Sequence, residues 1–213
     1  MNKIETDKEL IFKRRKIKRD RKKKKEKELK DKQWKDFFRS STKVLKKLKD
    51  DLEADKTFFC IDTEEHEFSR KLLEIGISIY KNKEINTFHF IVKENYDLRN
   101  EKYVPDHKDD FLFGESEILS LDEIKNRIQE LYLGVDFLVG HSVQNDRSLL
   151  KKIKTNNFSY VFDTQILQKH LNQTKKEISL INLCKSFDIE TECLHNAGND
   201  AYYTFLCLLK IGG

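Results

Sequence analysis

The chain has 213 residues, 37% of them charged, with one Pro, seven Gly and a net charge of +5. That length supports one core of ordinary size with an extension rather than two cores. No apolar run approaches the length of a membrane span and the N-terminus lacks the apolar segment of a secretory signal, so an intracellular protein without membrane association is expected.

Charge is unevenly spread. Residues 1–50 hold 22 Lys and Arg against 9 Asp and Glu, a net of +13, whereas the remaining residues hold 20 against 28, a net of −8. Residues 1–33 read as a basic arm, disordered or a solvated helix, because the run Lys13 to Lys25 has almost no apolar surface to bury. The same run suits neutralising nucleic-acid phosphates or a nuclear-import signal, so the nucleus is one expectation and the cytoplasm the other. Trp34, Phe38, Leu45, Leu48 and Leu52 recur at helical steps. They predict an amphipathic helix over 34–54 whose apolar face packs on the domain of residues 55–213 or on a protein partner.

Phe58 to Ile61 are four consecutive apolar residues, the pattern of a strand covered on both faces, and the run ends in Asp62-Thr63-Glu64. Side chains alternate along a strand, so Asp62 and Glu64 project to one side. Leu73, Ile75, Ile77 and Ile79 alternate with Glu74, Gly76, Ser78 and Tyr80, predicting a half-buried strand, and Phe88, Phe90 and Val92 predict a third in an antiparallel meander. Residues 94–119, with Pro105 and Phe111 to Gly114, read as a long surface excursion of the kind that forms lids or binding loops. Ser120 and Glu123 have capping-box spacing for a helix reaching Tyr132. Strands are then expected over 136–140 and 160–164, with helices over 142–153, 165–171, 178–187 and 198–211. This order predicts an α/β fold in which an antiparallel three-strand half joins parallel strands through crossovers. Cys60, Cys184, Cys193 and Cys207 lack paired close spacing, which suits reduced, mostly buried thiols.

Two further acids stand where a core residue belongs. Asp146 shares a predicted helix face with Leu149, Leu150 and Ile153, and Asp200 shares one with Tyr203, Thr204, Cys207 and Leu208. A carboxylate on a buried stripe needs a compensating partner, although a first-turn position also gains from the helix dipole. If these acids converge with Asp62 and Glu64, they make the ligand set of a two-metal phosphoryl-transfer site. His195, five residues before Asp200, could deprotonate an attacking water at neutral pH.

Asp62-Thr-Glu64, Gly140-His-Ser-Val-Gln-Asn-Asp146 and His195-Asn-Ala-Gly-Asn-Asp200 resemble the three exonuclease motifs of the DEDDh family, over residues 57–211, with His195 matching the histidine subclass. Phe111 to Ser116 and His195 to Tyr203 are similar to fungal exonuclease-like proteins related to the exonuclease partner of Argonaute in quelling. The resemblance implies a ribonuclease H-like fold with a five-stranded mixed sheet flanked by helices. It also implies 3′-to-5′ hydrolysis of RNA or single-stranded nucleic acid to nucleoside 5′-monophosphates, with two Mg²⁺ or Mn²⁺ ions. Asp62 would bridge the ions, Glu64 and Asp200 would complete the site that holds the attacking water, Asp146 would support the second ion, and His195 would be the general base. Thr63, His141 and Asn145 would bind substrate, and Asp163 would play a structural part. Many active relatives continue the first motif with a small-residue, Gly-containing turn, so Glu65-His66-Glu67 is expected to add negative charge beside the nucleotide pocket. Two other classes share these residues: a non-catalytic binding or scaffold protein that keeps the fold, and a DNA proofreading or repair exonuclease.

Overall fold

A computed structural model of the chain describes residues 7–54, 56–152, 155 and 158–213. They fall into two units, one ending at Thr42 and one running from Lys43 to Gly213. The first is built on α1 (Asp7–Arg39), a helix of 33 residues. Its basic sequence offers no stripe to bury, and residues 11–33 are all exposed. Toward its end Trp34, Phe37 and Phe38 gather, with ring centroids 5.2 to 5.5 Å apart.

The helix expected over 34–54 is two helices. The Ser40 hydroxyl donates to the Phe37 carbonyl at 2.7 Å, a local bond that competes with the next helical turn, and α1 stops there. The amphipathic part continues as α2 (Ser41–Glu53). Val44, Leu45, Leu48 and Leu52 pack into a core cluster with Phe58, Phe137, Phe162, Phe205 and Leu208. These side chains pack on the domain's own core, the first of the two expectations.

The second unit is a mixed sheet of β1 (Phe58–Glu65), β2 (Leu72–Lys81), β3 (Glu84–Val92), β4 (Ser116–Leu119), β5 (Phe137–Gly140) and β6 (Tyr160–Asp163). Its order is β4-β3-β2-β1-β5-β6. β1, β2 and β3 form the antiparallel meander, while β5 runs parallel to β1, β6 to β5, and β4 to β3. Six strands replace the five expected, because four residues of the 94–119 excursion pair along the free edge of β3. Helices α3 (Leu121–Leu131), α4 (Gln144–Lys152), α5 (Thr164–Leu171), α6 (Leu180–Ser186) and α7 (Ala197–Gly212) flank the sheet. The capping box of Ser120 and Glu123 opens α3 as its spacing predicts. Ile153, the last member of the stripe assigned to α4, lies outside the described residues.

The central strand is sealed on both faces. Phe59 and Ile61 enter one core cluster with Ile75, Ile77 and Phe90, and Phe58 and Cys60 enter the other with α2 and α7. β2 departs from its expected half-burial. Glu74 is 2% exposed and Ser78 fully buried, because α7 lies across the face that carries them. Cys60, Cys184 and Cys207 are buried and Cys193 is part-exposed, all as free thiols. No helix among the described residues is long and apolar enough to cross a membrane.

Candidate catalytic site

β1 delivers the first two acids. Asp62 and Glu64 lie near its C-terminal end, opposite Gly76 and Glu74 of β2. The β5–α4 connection brings Asp146 in the first turn of α4, 7% exposed, and the Thr63 hydroxyl donates to its Oδ1 at 2.6 Å. α7 brings Asp200, 8% exposed, whose Oδ2 accepts the His195 N–H at 3.2 Å.

The start of α7 reaches the sheet through an opening made by a missing side chain. A Cβ at Gly76 would lie 1.8 Å from the Ala197 carbonyl oxygen, so only glycine admits this approach. Beside it, Glu74 Oε2 accepts the Ala197 N–H at 3.2 Å and lies 2.9 Å from His89 Nε2, while His89 Nδ1 lies 2.8 Å from the Ser116 hydroxyl. The Asn196 side chain caps α7 by accepting the Asn199 N–H at 3.1 Å. These bonds set the height of the helix on the sheet and hence the position of Asp200.

His195 has φ +69°, in the left-handed region that residues with side chains seldom occupy. This turn leaves the imidazole exposed, with Nδ1 3.8 Å from Glu64 Oε1, an ion-pair contact rather than a hydrogen bond. Glu64, His195 and Asp200 each present a ligand atom within 4.8 Å of the others. Above them opens a pocket of about 440 Å³ lined by Asp62, Thr63, Glu64 and Asp146, and by His141 and Ser142. Residues from β1, α4 and α7 thus meet at one place.

Their electrostatics are those of crowded carboxylates. Burial pushes Asp62 well above the ordinary range, reinforced by Asp200, then Asp146 and Glu64. Burial likewise raises Glu64, with His195 opposing it, and lifts Asp146 to about 6 and Asp200 to about 7. His195 is raised, first by Glu64, with burial opposing and Asp200 adding to the rise. One oxygen of Asp200, Oδ1, is buried without a hydrogen-bond partner. A buried anionic oxygen in that state is costly unless a proton or a cation meets it. A set of carboxylate oxygens with one orphan among them fits hard divalent cations such as Mg²⁺ or Mn²⁺.

The other sequence-predicted residues divide. Thr63 lines the pocket, but its hydroxyl is spent on Asp146. His141 also lines it, yet both ring nitrogens are engaged, with Nε2 2.9 Å from the Ile178 carbonyl and Nδ1 2.9 Å from the Thr164 hydroxyl. Burial lowers its pKa, and with both nitrogens engaged the ring offers a ligand its surface rather than a hydrogen bond. The Asn145 side chain lies outside the described residues. Asp163 caps α5 by accepting from Gln165 and Ile166, and it also accepts the Ser142 and Val143 N–H groups that lead into α4.

Residues 57–211 match the model of a DEDDh family described as DNA polymerase III subunit epsilon-like, C-terminal domain. The chain belongs to this DEDDh family. It is 36% identical over 215 residues to an uncharacterised protein of Saccharomyces cerevisiae, covering 81% of this chain and 44% of that one. It is 32% identical over 160 residues to an uncharacterised nucleolar protein of Schizosaccharomyces pombe, covering 69% and 65%. The chain therefore spans less than two thirds of either relative. The solved structure of the yeast NOT1 MIF4G domain co-crystallized with CAF1 matches with a TM-score of 0.52 at 12% identity, covering 81% of this chain and 84% of that one, a likeness of fold. Within the DEDDh domain, Glu74 and His89 support α7 although the sequence reading assigned them nothing. A Glu, a Gly and a Ser on one side of an otherwise aliphatic strand, with a His on the next strand, were the available signal.

Proposed function

We propose that this DEDDh protein is a metal-dependent 3′-to-5′ exonuclease that hydrolyses RNA or single-stranded nucleic acid to nucleoside 5′-monophosphates. The observation that carries the reading is the meeting of Glu64, His195 and Asp200 beside the pocket of Asp62 and Asp146, with Asp200 Oδ1 left unpaired. Asp62, Glu64, Asp146 and Asp200 would hold two Mg²⁺ or Mn²⁺ ions. Bound there, the cations would neutralise the acids and stabilise charge on the attacking and leaving oxygens. Thr63 orients Asp146, and the bonds from Glu74 to the start of α7 orient Asp200 and His195. Because Nδ1 of His195 faces Glu64, Nε2 is the nitrogen that takes a proton from the attacking water. The test is to incubate end-labelled RNA and DNA with Mg²⁺, Mn²⁺ or EDTA. Cation-dependent shortening from the 3′ end is expected, with single strands preferred. Binding without any shortening would leave a scaffold that keeps the fold, and preference for duplex DNA would point to a repair exonuclease.

The acidic domain repels phosphates away from the cations, so the basic residues of the arm supply attraction that the domain lacks. Deleting residues 1–33 is expected to raise KM and flatten its dependence on salt while kcat stays nearly constant. Initial rates at several salt concentrations check this, and a fall in kcat at unchanged KM contradicts it. The run Lys13 to Lys25 and the nucleolar relative support a nuclear location. The similarity of Phe111 to Ser116 and His195 to Tyr203 supports a relation to the fungal exonucleases of quelling.

A further inference from the structure

The 94–119 excursion is fastened to the domain at two places. Near its start Glu67 accepts the N–H groups of Glu101 at 3.5 Å, Lys102 at 3.1 Å and Tyr103 at 2.8 Å, so part of the charge expected beside the pocket is engaged by backbone donors. Further along, the turn from His107 to Asp110 is held against the loop that precedes α7 by the side chains of Asn196 and Asn199, both fully buried. Asn196 Nδ2 donates to the His107 carbonyl at 2.9 Å, and Asn199 Nδ2 donates to the carbonyls of Asp110 at 2.9 Å and Cys193 at 3.0 Å.

The three residues whose backbones are fixed in this way bring three different donors together. His107, Asp110 and Cys193 each present a ligand atom within 4.8 Å of the others, and His107 Nδ1 lies 2.8 Å from Asp110 Oδ2. Cys193 is unlike the other cysteines. Cys60, Cys184 and Cys207 are buried in core clusters, whereas Cys193 is part-exposed and has φ +48°, a backbone region that residues with side chains seldom occupy. Core packing therefore does not account for its place beside an imidazole and a carboxylate.

A thiolate and a carboxylate together carry the charge that balances a divalent cation, and the imidazole adds a neutral donor. Thiolate and imidazole favour zinc over the hard cations that suit the acid pocket. Around tetrahedral zinc the ligand atoms stand about 3.5 Å apart, within reach of these side chains by torsional adjustment, and three protein ligands leave a position for water. The Cys193 thiol gives its proton to solvent as the metal–sulfur bond forms, and the ring binds through a nitrogen that carries no proton.

We infer that His107, Asp110 and Cys193 form a Zn²⁺ site that clamps the excursion to the loop carrying His195. The site shares no ligand with the acid pocket, so it stands or falls apart from the exonuclease reading.

The test uses the full chain with Co²⁺ as a spectroscopic substitute for Zn²⁺ and excess Mg²⁺ to occupy the acid pocket. The parent is expected to show sulfur-to-cobalt charge transfer in the near ultraviolet, removed by equimolar Zn²⁺. Cys193→Ser should abolish this band while keeping the parent's circular dichroism in EDTA. His107→Ala should weaken Zn²⁺, measured against a chromophoric chelator, by more than the roughly 10- to 100-fold that loss of a ligand's hydrogen-bond partner costs. Asp200→Asn, which alters only the acid pocket, should leave the band in place. Absence of the band in the parent, its survival in Cys193→Ser, its loss in Asp200→Asn, or parental affinity in His107→Ala would each overturn the zinc site.

Discussion

Replacing Asp200 by Asn is expected to lower cation-dependent strand shortening by about a thousandfold or more, while leaving the metal-free protein at neutral pH more stable than the parent. The two effects have one cause. Burial and Glu64 lift Asp200 from an ordinary 3.8 to about 7, so the folded state binds a proton there more tightly than the unfolded chain does. Its stabilising contribution is complete below about pH 4 and is lost as pH rises through about 7, where ionisation costs on the order of 4 kcal/mol. Asn keeps an oxygen for the His195 N–H and removes the charge. Thermal unfolding in EDTA should therefore show the parent losing stability from pH 4 to 8 more steeply than Asp200→Asn. Adding Mg²⁺ should raise the parent's Tm and barely move the variant's. An Asn variant that still shortens RNA at the parental rate, or that responds to Mg²⁺ as strongly, would contradict both halves.

The second large effect concerns His195. His195→Gln should reduce kcat by about 10²- to 10⁴-fold, the usual reach of a positioned proton acceptor. The pH profile carries the more specific information. Glu64 raises the imidazole pKa, so in the metal-free protein the ring stays protonated above the ordinary histidine value. Only the neutral ring accepts a proton, and the parental rate should climb with pH along a limb set by this group. Cations that draw charge from Glu64 and Asp200 weaken the upward push, so the His195 titration followed by NMR should move down when Mg²⁺ replaces EDTA. Asp146 and Asp200 also titrate near neutrality without cations, so the variant is the necessary control. An unchanged limb at a lower rate in His195→Gln would assign it to those carboxylates instead.

The elements most legible in the chain were those whose pattern is local. Phe58 to Ile61 announced a doubly covered strand, and Asp146 and Asp200 stood out because a carboxylate on an apolar stripe contradicts its neighbours. β4 was not legible, since four residues at a sheet edge carry too little alternation to separate from a loop, and its pairing with β3 depends on the whole excursion folding back. Ser40 hid the break between α1 and α2, because a single Ser is tolerated in a helix until its hydroxyl finds the carbonyl three residues earlier.

The side of β2 bearing Glu74, Gly76 and Ser78 shows where periodicity stops being informative. Alternation correctly separated its two faces, but a polar face signals solvent only when nothing covers it. Here α7 does, and each exception has its own remedy: Glu74 bonds His89 and Ala197, Ser78 lies 2.9 Å from the Thr87 hydroxyl, and Gly76 simply vacates space.

Charge taught the same lesson at Glu67. In one dimension it is an acid beside other acids, whereas in three dimensions it is the anchor of a loop that begins 34 residues later. Residue type and spacing decide which side chains a strand or helix displays together, because those periods belong to the backbone. Which displayed groups meet, and whether a charge is then a ligand, a liability or a clasp, depends on elements remote in the chain, and that was settled only when α7 and the 94–119 excursion closed onto the sheet.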